Sequence, residues 1–502
     1  MAGKTDYTKI LGFILGPLVF IALASTQLVD PTTGQLVNKE APWAPGASLG
    51  LMLWTIIWWV TGVLPYGVTG LMVAIVACAL IGLNPKAFGY TSASSGVSAV
   101  LQTYFSETIW VFFGGFLLGW GMEYSGFAKR LTRKIVGGFT KISKDAFWTV
   151  FAMWFVTWFI SWWMSNTAAT AVVYPLLIGL IVASPWINEK QAEISLIFLA
   201  FAASFGGVAT IIGTPPNLIA AGFVESQKIG HVGFMDWLTW GVPLAVISFA
   251  VMAVIGKIVF GKSTLDPKVL EEQWKREPLG KMTLEEKWFL VVFVTTVFLW
   301  IFKGVADIVG WSIVSQLIPS DAIPALVCAV LLFGAPKSLK PYKHIFSFKE
   351  GIKGVEWDTL FLFAGGLVFG SLLFKSGAGL WLGKQLTPLF GTGVTGIALG
   401  SSVTGWVIAQ FTSHTAASNA ICPIVIALGQ AAKLPNSAIA ASTIAAAIAT
   451  SFAIMFPFST PPNAIVYGSG KVRMSRMALY SVIVSAVVMP IMFVLLRMFF
   501  GF

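Results

Sequence analysis

The sequence predicts an all-α polytopic membrane protein of about eleven transmembrane helices, built as two inverted repeats that each contain a re-entrant hairpin and a broken helix. Three observations carry that expectation. Of 502 residues, 57% are hydrophobic and 11% charged, whereas soluble domains carry about 25% charged residues, so a water-soluble fold could not hide the apolar surface. Apolar stretches near the roughly 20 residues that cross a bilayer as helix recur from Ile10 to Phe502. The polar interruptions of those stretches occur twice, in the same order.

The candidate spans are 10–27, 48–63, 64–83, 107–124, 192–224, 237–260, 287–304, 321–335, 357–374, 434–467 and 476–501. Strand-like alternation is absent, so helices rather than a barrel are expected to satisfy the backbone inside lipid. Lys4 and Lys9 precede the first apolar run and Ala22-Leu23-Ala24 is a weak cleavage signal, but the run is long enough to span and is read as a retained helix. Two stretches, 146–184 and 395–432, are too long for one crossing, and each is interrupted near its middle by a Ser-x-Thr cluster. Each is expected to be a hairpin that enters and leaves on one side. The N-terminus then lies in the cytoplasm, and three quarters of the 32 lysines and arginines fall in loops assigned to that side. The basic segment 128–144 is expected to lie along the cytoplasmic interface, and 262–287 to hold a short solvated linking helix.

This layout divides the chain into an N-terminal helix and external loop (1–47), a first repeat (48–261), a cytoplasmic linker (262–286) and a second repeat (287–502). The net charge of +11 does not point to nucleic acid, because it sits in short loops between apolar segments. Cys78, Cys328 and Cys422 lie in apolar surroundings, too scattered for a disulfide framework or a metal site.

The repeat is the strongest signal. Glu107-Thr108 with Gly114-Gly115 matches Asp358-Thr359 with Gly365-Gly366, and Ser125-Gly126 matches Ser376-Gly377. Ser165-Asn166-Thr167-Ala168-Ala169 matches Ser413-His414-Thr415-Ala416-Ala417, and Gly213-Thr214-Pro215-Pro216-Asn217 matches Ser459-Thr460-Pro461-Pro462-Asn463. Five crossings and one hairpin per half make the second copy face the other way. Inverted repeats with interrupted helices are the recurrent architecture of secondary transporters, with the site near the midplane.

The matched residues are polar breakers, and their chemistry suits an anion. Pro215-Pro216 and Pro461-Pro462 remove backbone donors inside apolar runs. Thr214, Asn217, Thr460 and Asn463 supply polar side chains at those breaks. Ser165, Asn166, Thr167, Ser413, His414 and Thr415 form the two hairpin tips, and a helix starting after each tip would aim its N–H groups at a bound anion. Two such tips facing each other suit a short dianion. Desolvating each charge costs several kcal/mol and each hydrogen bond to it returns about 1.5–3 kcal/mol, so many donors, and a cation or protonated group, are needed. Acidic and basic side chains are nearly absent from the expected midplane, which argues against a proton relay. No arrangement of nucleophile and base suggests an intramembrane enzyme, and no organic cofactor is expected.

With these motifs the chain resembles the divalent anion/sodium symporter family over nearly its whole length after residue 45. The resemblance implies transport of C4/C5 dicarboxylates such as succinate, malate, fumarate and 2-oxoglutarate. It also implies a homodimer in a bacterial plasma membrane, with scaffold and transport domains drawn from both repeats and an elevator movement. Substrate would be held by Ser165, Asn166, Thr167, Thr214, Pro215, Ser413, His414, Thr415, Thr460 and Pro461. Sodium would sit by Ser161, Ser165, Asn166 and the Gly213 loop. The second half departs from that pattern, with Ala409 for Ser161 and His414 for Asn166, which removes two oxygen ligands. His414 is either a neutral side chain bonded to a local carbonyl or a donor, cationic when protonated, standing where a sodium would assist the substrate. The departure resembles the exchanger branch of the family, so dicarboxylate:dicarboxylate exchange is the expected mode. Sodium-coupled symport is the alternative, ahead of an anion channel or a sulfate carrier.

Overall fold

Apolar runs of bilayer length become helices here because only intrasegment hydrogen bonds satisfy a backbone away from water. A computed structural model describes residues 7–140, 145–184, 187–263, 274–275 and 278–501. The first half comprises α1 (Tyr7–Ala24), α2 (Trp43–Thr61), α3 (Tyr66–Leu83), α4 (Ala93–Thr103), α5 (Glu107–Tyr124), α6 (Phe127–Thr140), α7 (Ala146–Ile160), α8 (Asn166–Ala183), α9 (Glu189–Gly207), α10 (Pro215–Ser226) and α11 (Phe234–Phe260). The second comprises α12 (Leu284–Val309), α13 (Ser312–Leu317), α14 (Ala322–Gly334), α15 (Phe348–Lys353), α16 (Trp357–Lys375), α17 (Ala378–Phe390), α18 (Val394–Phe411), α19 (His414–Ala431), α20 (Asn436–Ser451), α21 (Pro461–Tyr467) and α22 (Met474–Phe500).

Among the described residues, nine helices are long and apolar enough to cross a membrane: α1, α2, α3, α8, α11, α12, α16, α18 and α22. Seven are expected single crossings, and α8 and α18 are hairpin arms. The expected spans 107–124 and 321–335 are present as α5 and the shorter α14. The spans 192–224 and 434–467 each break into two helices, α9 with α10 and α20 with α21.

The order of elements from α5 to α11 recurs from α16 to α22, and the packing between halves is reciprocal. The close pairing of α3 with α16 has its counterpart in α14 with α5. The short helix after each break, α10 or α21, packs against the other half's hairpin arm and long helix. At the α3–α16 crossing the backbones touch: a Cβ on Gly365 would lie 2.6 Å from Gly70 Cα, and one on Gly70 would strike the Phe361 carbonyl. Only glycine permits this approach.

Several expectations need correction. Two short antiparallel strands, Pro336–Leu339 and Tyr342–His344, form an exposed hairpin; they are too short and too exposed to carry an alternating pattern. The α4 helix was not expected, although Ser92 and Ser95 form a capping box at its start. The basic segment folds into α6 over its described part, with Arg130 and Arg133 buried in protein. Arg130 makes a two-pronged pair with Glu286, Nε to Oε1 at 2.7 Å and Nη2 to Oε2 at 2.8 Å, and its guanidinium also donates to the carbonyls of Leu279, Gly280 and Lys281. The pair fastens α6 to the start of α12. The linking helix expected within 262–287 falls mostly on 264–273 and 276–277, which, like 141–144 and Lys4, lie outside the described residues. The loop between α1 and α2 is tied to the second half: Asp30 Oδ2 lies 2.5 Å from Lys384 Nζ.

The breaks are closed by asparagine. Asn217 Nδ2 donates to the carbonyls of Gly207 at 2.9 Å and Thr210 at 2.8 Å. Asn463 Nδ2 donates to Ile454 at 2.9 Å and Phe456 at 3.0 Å. Pro215-Pro216 and Pro461-Pro462 occupy the first positions of α10 and α21, where the missing N–H groups would have had no helical partner. The prolines therefore start new helices instead of kinking old ones.

Replacing Asn217 or Asn463 by Ala leaves two buried carbonyls without donors, and each substitution is expected to cost about 1–3 kcal/mol, read as a lower melting temperature in detergent. Glu286→Ala, which strands a buried guanidinium, is expected to cost about 3–5 kcal/mol; a double-mutant cycle with Arg130→Met checks the coupling, and additive effects would contradict it.

Candidate functional site

Each hairpin turns at a serine-capped helix start. Ser165 Oγ accepts from Ala168 N at 3.4 Å at the head of α8, and Ser413 Oγ accepts from Ala416 N at 3.1 Å at the head of α19. The chain before each broken-helix restart is extended in the same way, with φ, ψ of −149°, 143° at Thr214 and −154°, 142° at Thr460. The four segments meet around one cavity of about 190 Å³. The first half contributes Ser165, Asn166, Thr167, Thr214 and Pro215 to its wall, and the second contributes Ser413, His414, Thr415, Thr460 and Pro461. All ten residues picked from the sequence thus line one space. Its volume is below the ~300–1,000 Å³ of sites for drug-sized ligands, which suits a compact molecule. First-turn N–H groups of α8 and α19 have no helical acceptor, and they start at this wall.

Six wall residues were missed: Tyr66, Glu356, Asp358, Thr359, Leu362 and Ser459. Asp358-Thr359 had been matched in the repeat but given no place at the site. The expectation that the midplane holds almost no acidic side chain is corrected for the cavity, because Glu356 and Asp358 border it. Both sit at the start of α16, where the carboxylates occupy a helix N-terminus. Asp358 Oδ1 accepts from Gly67 N at 2.7 Å, linking that wall to α3. In contrast, Asn217 and Asn463, expected to present polar groups at the breaks, do not line the cavity and spend their amides on the backbone.

Behind the first tip lies a cluster of oxygens. The Ser161 hydroxyl is 2.7 Å from Asn166 Oδ1 and 2.8 Å from the Ala203 carbonyl, and Asn166 Nδ2 donates to Thr214 Oγ1 at 3.4 Å. A Cβ on Gly213 would lie 2.5 Å from the Gly207 carbonyl and 3.0 Å from that of Ser161; one on Gly207 would strike Asn166 Oδ1 and lie 3.1 Å from the Gly213 carbonyl. Two glycines thus leave room for carbonyl and amide oxygens to converge, the donor set a hard cation takes. Ser165, in the same candidate set, spends its hydroxyl on the cap.

The second half lacks this space. The position of Gly207 is held by Ala453 and that of Gly213 by Ser459, two replacements beyond Ala409 and His414. Ala409 and Ala453 are buried together in an apolar cluster. His414 is buried, and its Nε2 lies 2.7 Å from the Ala453 carbonyl. A carbonyl can only accept, so Nε2 carries a proton and donates it to Ala453. The structure therefore shows the bond to a local carbonyl, and the imidazole fills the place where an oxygen cage would be.

A second, larger cavity of about 470 Å³ adjoins the first and shares Ser165, Thr167, Glu356 and Pro461 with it. Its outer wall comes from α5, through Phe116, Trp120 and Glu123.

Comparison with known proteins agrees with this architecture. The family model described as "Sodium:sulfate symporter transmembrane region" matches residues 34–501. The chain is 30% identical over 490 residues to the sodium-dependent dicarboxylate transporter SdcS of Staphylococcus saprophyticus, covering 94% of this chain and 87% of that protein. It is 29% identical over 486 residues to SdcS of Staphylococcus aureus, with the same coverage. Among solved structures, the Alcanivorax borkumensis YdaH transporter, described as having an unusual topology, shares the fold with a TM-score of 0.55 at 14% identity, covering 99% of this chain and 97% of that one. The protein is thus a multi-pass membrane transporter, not an enzyme, and it belongs to the sodium:sulfate symporter transmembrane-region family.

Proposed function

We propose that the protein carries C4/C5 dicarboxylates across a bacterial plasma membrane, coupled to sodium through the first-half oxygen cage. The observation that carries this reading is the single small cavity walled by both hairpin tips and both broken-helix starts. Two helix N-termini with hydroxyl and amide donors suit two carboxylates a few ångströms apart. The cage behind Ser165 and Asn166 would supply the positive charge that hydrogen bonds alone do not. Relatives named as sodium-dependent dicarboxylate transporters support the same choice.

The reciprocal packing supports two repeats of opposite orientation, and the excess of basic residues in one set of loops supports an N-terminus in the cytoplasm. In an elevator movement, the hairpins and broken helices of a homodimer's protomers would carry substrate past a scaffold that includes α3, α5, α14 and α16. The larger cavity, bordered by the end of α5 and the residues before α16, would then open toward the cytoplasm, the side assigned to the basic loops. Dicarboxylate:dicarboxylate exchange is the second reading. It is favoured by His414, which occupies the place of a second cation and needs no sodium to do so.

Proteoliposomes separate the two readings. Labelled succinate is supplied to vesicles that are empty or preloaded with unlabelled succinate, with and without a sodium gradient. Sodium-driven uptake into empty vesicles is expected; uptake that needs internal substrate and ignores sodium would establish exchange instead. Gly213→Ala, which places a methyl against the Gly207 carbonyl, is expected to raise the sodium concentration for half-maximal transport by about tenfold or more, equal to about 1.4 kcal/mol or more of lost cation binding. An unchanged sodium dependence would remove the cage from the mechanism.

A further inference from the structure

A two-stranded hairpin joins α14 to α15, with Pro336–Leu339 paired to Tyr342–His344. An isolated hairpin of this size is marginally stable in water, and among the described elements no helix packs closely on it. Its base is nonetheless fixed. Ile345 N donates to the Ala335 carbonyl at 3.0 Å, Lys337 pairs with Glu285 in the first turn of α12, and Trp288 Nε1 donates to the Leu331 carbonyl at 2.9 Å. The hairpin therefore sits beside the end of α12 that follows the linker.

The length of α14 sets its depth. Thirteen residues make a helix of about 20 Å, short of the ~30 Å hydrocarbon core. The chain leaving α14 at Gly334 still has the interface to cross, and the hairpin begins at Pro336. Its side chains suit that zone. Leu339 and Tyr342, partners across the strands, are 74% and 58% exposed. Phe348 is 59% exposed and lies edge-on to Phe333 in the last turn of α14. Residues 336–353 hold five lysines and one acidic residue. Lys337 and Lys353 pair with Glu285 and Glu350. Lys340, Lys343 and Lys349 are exposed and, among the described residues, have no carboxylate partner.

Apolar and aromatic side chains interleaved with unpaired lysines match a headgroup layer, where rings enter the interface and ammonium groups meet phosphate. We propose that the hairpin and the start of α15 dock on anionic phospholipid headgroups of the leaflet where α14 leaves the membrane. Under the orientation proposed above this is the cytoplasmic leaflet, whose negative surface potential attracts basic segments. A soluble acidic partner would match the lysines but leave Leu339, Tyr342 and Phe348 without apolar cover. Neutral lipid would cover those three and leave the lysines without counter-charge. The docking is one-sided, because α3 holds the place of α14 in the first half and the segment after it, 84–106, has a single lysine.

The test places a fluorophore on Ser347→Cys, exposed beside Phe348, in a Cys78→Ser background because Cys328 and Cys422 are buried. The full chain is reconstituted in phosphatidylcholine, with brominated phosphatidylcholine or brominated phosphatidylglycerol as the quencher. Both lipids are expected to quench, with phosphatidylglycerol favoured at least about fivefold, the effect of one lysine near a charged surface. Replacing Lys340, Lys343 and Lys349 together by Gln is expected to bring that ratio close to one, and added salt to lower it. Equal quenching by the two lipids before any lysine is replaced overturns the proposal. So does a label that lipid does not quench. If aqueous iodide reaches that label, the hairpin stands in water, open to a soluble partner; if its shielding grows with protein density, a second copy covers it. An impermeant thiol reagent on sealed vesicles of known orientation reads the side separately. Reaction of Ser347→Cys from the outer face would overturn the cytoplasmic assignment and leave the lipid contact standing.

Discussion

Inside a bilayer each backbone amide or carbonyl that loses its helical partner costs several kcal/mol unless protein or trapped water replaces it. This chain breaks two long helices at that depth, and the arrangement around them follows from how the breaks are sealed. Asn217 and Asn463 each bind two carbonyls upstream of the restart, and proline pairs begin the next helix where donors are dispensable. With the backbone settled by those six residues, Thr214 and Thr460 remain available at the cavity wall.

The two halves seal their breaks alike but use the adjacent space differently. In the first, Gly207 and Gly213 keep a gap between converging oxygens. In the second, the methyls of Ala409 and Ala453 and the ring of His414 occupy the corresponding volume. A duplicated frame thus carries an open cage on one side and a filled one on the other. Four substitutions at matched positions suffice, because an oxygen cage of this size is closed by single methyl groups.

Much of this was legible in the sequence, and the reasons differ by feature. The hairpin tips and restarts stood out because Ser, Asn, Thr and Pro are costly in apolar runs and persist there only with a structural or binding use. Their convergence on one cavity followed from the repeat. Ala453 escaped notice because a small residue in an Ala-rich stretch carries no contrast until a structure shows which glycine it replaces. Glu356 sits just where an apolar run begins, so it reads as an ordinary flanking polar residue, and Asp358, though matched in the repeat, carries no sign in sequence that it borders a wall. The burial of Arg130 was hidden because its partner, Glu286, lies on the far side of the linker. A basic amphipathic helix looks the same in sequence whether it faces lipid or protein.

The contact between α3 and α16 has a further consequence for how the molecule is made. Gly67 N donates to a carboxylate 291 positions later in the chain, and Gly70 rests directly on Gly365. While the ribosome is still translating the middle of the message, the glycine face of α3 has no partner to cover it. Biogenesis must therefore keep an unfinished half soluble in lipid and unpaired until its mate is inserted, and truncation before residue 357 leaves that face permanently bare.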